Sequence, residues 1–152
     1  MPRITLACLL CLQLASAAAL AQTPPTNDSI YQAWGGKAGI RAVMDDFVPR
    51  LFADPRTAPF FRNANRENLT TQLTEQLCQQ AGGPCSYTGA PMKLVHQDME
   101  IGRRDFNALV EILQQAMDAK GVPFAAQNGM LARLAPMHRD IVTSVSDSQQ
   151  GR

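Results

Sequence analysis

In this 152-residue chain the apolar residues recur three and four positions apart, in runs divided by glycine and proline. That rhythm predicts an all-helical fold. Asn27, Asp28 and Ser29 offer N-caps for a short first helix, which Gly35-Gly36 ends. Ile40, Val43, Met44, Phe47, Val48 and Leu51 form one stripe on a helix over 37–53. Pro49 interrupts that helix and predicts a kink or a break, and Asp54-Pro55 ends it. A helix over 66–81 carries Leu69, Leu73 and Leu77 on one face. After a loop over 82–90, Pro91 suits the first turn of a short helix reaching about residue 99. A helix over 103–120 presents Phe106, Leu109, Val110, Leu113 and Met117, and Gly121 caps it. Pro123 opens a last helix to about residue 142, with Met130, Leu131, Leu134, Met137 and Ile141 inside and Pro136 as a bend. The chain shows no strand-like alternation, hairpin signal or repeat at solenoid periods.

The chain is 45% apolar and 18% charged, which fits one compact domain and excludes a polyelectrolyte or a collagen-like repeat. Its net charge is +1, so no basic field marks a nucleic-acid partner.

Residues 1–21 read as a signal peptide. Arg3 is the positive n-region, and Ile4 to Leu20 is apolar apart from Thr5, Gln13 and Ser16. Ala19-Leu20-Ala21 then fits signal-peptidase cleavage before Gln22. The expectation is an exported, periplasmic protein with no membrane attachment after cleavage. Residues 22–28 form a linker, 29–142 the folded domain and 143–152 a polar tail.

Cys8 and Cys11 leave with the signal, and Cys78 and Cys85 remain. In an oxidising compartment this pair is a disulfide candidate, because Gly82-Gly83-Pro84 between them can turn the chain back. Closing a loop of about eight residues stabilises by about 2.5 kcal/mol before strain. There is no CxxC, so neither a thioredoxin-like site nor a zinc ribbon is supported.

The chain has two histidines. His96 shares a face with Met92 and Met99 on an apolar segment, whereas His138, beside Arg139 and Asp140, reads as a solvated helix-end residue.

The motifs in sequence order resemble the group 1 truncated haemoglobins. Ser29-Ile30-Tyr31 leads to Gly35-Gly36, Asp46-Phe47 to Leu51-Phe52-Ala53-Asp54-Pro55, and then Phe60-Phe61. The run from Gly82 to His96 (GGPCSYTGAPMKLVH) is the most specific segment, and Gly121-Val122-Pro123 and Leu134-Ala135-Pro136 complete the series. The resemblance implies a two-over-two helical sandwich around haem b, held without covalent links because no CxxCH is present. It implies His96 as the axial iron ligand, with its other ring nitrogen donating to a backbone carbonyl of the short helix. It places Phe60, Phe61, Met92, Phe106, Leu109 and Leu134 around the cofactor, and Lys93 within reach of a propionate. Tyr87 reads as a loop anchor.

The resemblance places Phe47, Val48, Leu69, Gln72, Leu73 and Gln76 on the distal side, where this chain departs from its relatives. Val48 stands where many carry a tyrosine, and Leu69 and Leu73 where many carry glutamine. The expected pocket is apolar, with at most one amide, Gln72 or Gln76, reaching a ligand from its edge. Loss of a hydrogen bond to bound dioxygen costs about 1.5–3 kcal/mol, roughly ten- to a hundredfold in affinity. Neither stable oxygen storage nor nitric oxide dioxygenation is then expected as the main task. Dioxygenase and peroxidase-type turnover are left as side activities.

The implied function is reversible binding of oxygen, nitric oxide or carbon monoxide, with an unidentified reductase as partner and a monomer or weak dimer as the assembly. Two other readings compete. Met92, His96 and Met99 form a soft set suited to Cu(I) in a periplasmic copper carrier, and a globin fold can serve as a haem-free interaction domain.

Overall fold

The computed structural model describes residues 28–144, so the signal-peptide reading and most of the linker and tail lie outside the described residues. All regular structure in this range is helical: α1 (Ser29–Ala33), α2 (Gly36–Ala53), α3 (Ala58–Phe61), α4 (Arg66–Gln80), α5 (Met92–His96), α6 (Arg103–Ala119), α7 (Phe124–Leu134) and α8 (His138–Ile141). The core centres on α2, which packs against both α4 and α6, while α4 also meets α7. This is the expected two-over-two sandwich.

Gly35 and Gly36 have φ of 77° and 69°, a left-handed turn that only glycine adopts without strain, and it swings the chain from α1 into α2. The Trp34 indole then donates to the Ala126 carbonyl at 3.4 Å, fastening this corner to α7. All six residues of the α2 stripe are buried. Pro49 neither breaks nor ends α2, which runs on to Ala53 with the proline on its exposed side.

Helix α4 differs from its predicted face. Its fully buried side includes Thr70 and Thr74, whose hydroxyls donate to the carbonyls of Arg66 and Thr70 at 2.9 and 2.7 Å. Leu69 and Leu73 are only half-buried. The bonded hydroxyls let threonine pack against α2 and leave the leucines to turn elsewhere. Asn65 caps α4 by accepting from the Asn68 N–H at 2.9 Å.

The short helix after Pro91 ends at His96, earlier than its pattern suggested. Beyond Leu134 the predicted single helix becomes a 3-10 turn at Ala135–Met137, followed by α8. Pro136 lies inside that turn, and proline cannot supply the N–H that would continue α7. Helix α3 has no counterpart in the periodicity; it is one turn, with Pro59 near its start. The backbone N–H groups of Thr143 and Ser144 bond to the Ile101 carbonyl at 3.0 Å, so the first residues assigned to the tail are tied to the domain.

Candidate functional site

Helix α5 is a single turn, and its geometry fixes one imidazole. His96 Nδ1 lies 2.7 Å from the Met92 carbonyl oxygen one turn earlier. A carbonyl only accepts, so Nδ1 carries the hydrogen, and Nε2 is the ring nitrogen left for a metal. This is the carbonyl partner expected for the ring.

Three cavities of about 560, 350 and 80 Å³ meet at His96 and Leu109, which line all of them. The largest lies between α4 and α5 and is walled by Phe47, Phe60, Phe61, Leu69, Gln72 and Leu73. The second extends toward α6 and α7 along Phe106, Val110, Leu131, Leu134 and Met137. Gln76 and Met92 line both. Phe60, Phe61, Met99 and Phe106 line the smallest. Phe61 is steadied by Phe52, with ring centroids 5.9 Å apart, and the Arg66 guanidinium stands 4.3 Å over the Phe52 ring. The two smaller cavities are almost wholly apolar, whereas Asn65, Asn68, Gln72 and Gln76 add amides to the wall of the largest.

Most residues singled out from the sequence therefore converge on one space. Two do not. Val48 is buried in the closed core and lines none of the three cavities, because one helical step of about 100° separates it from Phe47, which does. Lys93 is exposed on the outer side of α5 and lines none of them either.

His138 also departs from expectation. It is half-buried and stands edge-on to Phe106, with centroids 4.7 Å apart and planes at 82°. It opens α8 rather than fraying at a long helix's end, so its ring turns back onto α6.

The cavity wall also includes Val110, Leu131, Met137 and Ile141, which no motif marked as site residues. Their apolar spacing was visible, but spacing does not distinguish a wall from a closed core. Met92, His96 and Met99 all line the largest cavity. Among the described residues, no three His, Cys, Asp or Glu side chains could share a metal ion.

Cys78 and Cys85 have Cα atoms 5.7 Å apart, within disulfide reach. Gly83 makes this approach feasible, since a Cβ there would stand 2.8 Å from Cys78 Sγ. The Tyr87 N–H donates to Gln79 Oε1 at 2.6 Å and its hydroxyl to the Ala90 carbonyl at 3.0 Å, so Tyr87 anchors the loop that edges the cavity.

The sequence pattern of the bacterial-like globins matches residues 29–143. The chain belongs to that family. It is 36% identical over 115 residues to the group 1 truncated haemoglobin GlbN of Mycolicibacterium paratuberculosis, covering 76% of this chain and 85% of that one. It is 32% identical over 100 residues to the group 1 truncated haemoglobin of Tetrahymena pyriformis, covering 66% of this chain and 83% of that protein. The crystal structure of the Tetrahymena pyriformis truncated haemoglobin in its Fe(III) form superposes with a TM-score of 0.71 at 29% identity, over 74% of this chain and 97% of that one.

The protein is thus a haem-binding globin, in place of a copper carrier or a haem-free domain. The site fits the cofactor: aromatic and aliphatic walls suit a flat macrocycle, and His96 Nε2 makes no hydrogen bond among the described residues. No helix among those residues is long and apolar enough to cross a membrane.

Proposed function

We propose that this globin is exported to the periplasm, holds haem b non-covalently through His96 Nε2, and binds a diatomic gas in the cavity between α4 and α5. The observation that carries the reading is the Nδ1 contact of His96 with the Met92 carbonyl, which makes Nδ1 the donor and turns Nε2 toward the cavity as the nitrogen that can hold the iron. When bound, the haem iron supplies reversible coordination of oxygen, nitric oxide or carbon monoxide. The chain supplies the rest. Phe60, Phe61 and Phe106 give apolar surface against the macrocycle, while Leu69, Leu73 and Leu109 keep water from the gas side. A reductase of the same compartment serves as redox partner, and the protein acts as a monomer or weak dimer.

The Cys78–Cys85 pair is oxidised in that compartment and ties the end of α4 to the loop that edges the cavity. The signal-like residues 1–21 support export.

Purified protein is expected to show a haem Soret band that His96→Ala abolishes. A colourless protein, or a band unaffected by His96→Ala, would reject the reading. Protein recovered from the periplasm should begin at Gln22 by intact mass and show no free thiol when denatured without reductant. A retained residue 1–21 segment would overturn export, and two free thiols would overturn the disulfide.

A further inference from the structure

The imidazole that holds the iron in the proposed reading stands on a weakly secured element. Helix α5 has five residues, none of them buried, and it packs chiefly against α8. Its Leu94 and Val95 are 56% and 44% exposed. A single turn is not stable on its own, and burial does little to fix this one. Its position comes instead from the chain that enters it. The Pro91 carbonyl accepts from the Leu94 and Val95 N–H groups at 2.9 and 3.2 Å, and the Met92 carbonyl then sets the His96 ring at 2.7 Å. A shift at Pro91 is thereby passed on to the ring.

The loop before Pro91 runs back to α4. Cys78 lies in the last turn of α4, fully buried in the core, and its carbonyl accepts from the Gly83 N–H at 2.9 Å. Cys85 packs against the same core. Past Gly83 the loop is fastened to α4 by the Cys78–Cys85 pair and by the Tyr87 N–H on Gln79 Oε1. Gln79 is exposed, so water competes for that hydrogen bond. The Tyr87 hydroxyl carries the hold on to Ala90, next to Pro91, and its ring lies so close to residue 89 that a Cβ there would stand 2.3 Å away. The tie that water cannot replace is the covalent one, and it joins the closed core to the segment leading into α5.

We infer that the Cys78–Cys85 cross-link positions His96: by fixing the loop over 85–91 to α4 it sets the place of α5, and hence how tightly haem is kept. The inference rests on the proposed haem reading and on oxidation of the pair, and deepens both. A dithiol opens the bond by exchange. Its thiolate attacks the half-buried Cys85 sulfur, the S–S bond breaks and the Cys78 sulfur leaves as a thiolate. The second thiol of the reagent then closes on the first and releases Cys85. Two electrons and two protons pass from the dithiol to the two cysteines. The loop is then held to α4 through Tyr87, and α5 loosens.

The test compares haem-loaded unsubstituted protein, the same protein opened with dithiothreitol that is then removed under argon, and Cys85→Ser. Haem loss is read as transfer to excess apomyoglobin. Both opened forms should lose haem roughly five- to seventyfold faster, the upper figure being the full effect of a cross-link over a loop of about eight residues. The iron–histidine stretching band of the ferrous form, read by resonance Raman, should shift or broaden as the ring loses its fixed tilt. In haem-free protein, hydrogen exchange at the Tyr87, Leu94 and Val95 amides should speed up by more than at the amides of α2. Dithiothreitol should change nothing in Cys85→Ser, which separates opening of the bond from any action of the reagent on the iron. If the opened forms melt at a lower temperature but transfer haem no faster, with the iron–histidine band unmoved, the bond only stabilises the fold and the inference fails. It fails equally if exchange at α2 rises as much as at α5, or if unsubstituted protein from the periplasm holds two free thiols. Should Cys85→Ser not fold, the dithiothreitol arm makes the same demands of the native sequence. Absence of a Soret band in the unsubstituted protein would reject the haem reading and the inference with it, whereas a normal band with unmoved probes would reject the inference alone.

Discussion

His96 and His138 carry the same side chain into different surroundings. His96 has a carbonyl acceptor for one nitrogen and a cavity for the other, whereas His138 sets its ring against Phe106. Replacement of His138 should therefore leave the Soret band in place while lowering stability. An aromatic pair of this kind contributes about 0.5–1.5 kcal/mol beyond its buried area, so His138→Ala is expected to lose about 1 kcal/mol in urea denaturation. A lost band would make His138 a haem-holding residue instead. The packing of His138 was not legible in sequence because Arg139 and Asp140 made its neighbourhood look solvated, and both are in fact exposed. Val48 shows the opposite failure. Its stripe was read correctly, yet a stripe gives no phase fine enough to say that Phe47 borders the cavity and Val48 does not.

Helices α2 and α4 show why one was readable and the other only in part. On α2 every buried side chain is aliphatic, aromatic or Met, so the period of the apolar residues is the period of burial. On α4 the buried side includes Thr70 and Thr74, whose hydroxyls are satisfied within the helix, while the half-buried leucines line the cavity. Hydropathy therefore pointed to the cavity side of α4 and missed the side that holds the fold. Pro49 is the converse error, a helix breaker inside an intact helix. It survives because it is exposed and the stripe on the far side holds α2 in place. Pro49→Ala should restore an N–H that can donate to the Asp45 carbonyl and remove the ring clash. A gain of up to about 3 kcal/mol is expected by urea denaturation. No gain would mean that the helix had already relaxed around the ring.

The helices of this sandwich leave much of their inward apolar surface around open space. The three cavities meet at His96 and Leu109, and their walls draw on α2, α3, α4, α5, α6, α7 and α8. Leu131, Leu134 and Ile141 would be core residues if these walls met; here they face a gap that a flat apolar cofactor fills. This is why the fold could be read from periodicity while the site needed the resemblance: the same spacing builds a closed core and a cavity. Filling the gap must then couple to folding, because only the folded chain brings Phe61 of α3, Leu73 of α4 and His96 of α5 to one space. Anything that binds only the folded state stabilises it by an amount that grows with its concentration, about 4 kcal/mol at a thousandfold excess over Kd. The melting temperature of the haem-loaded protein should therefore exceed that of the haem-free protein and climb further as free haem is added. His96→Ala should flatten that climb by weakening the affinity, while leaving the haem-free melting temperature near that of the unsubstituted chain. Thermal melts across a series of free haem concentrations measure both. A melting temperature indifferent to haem would mean that the cavity is not where the cofactor joins the fold.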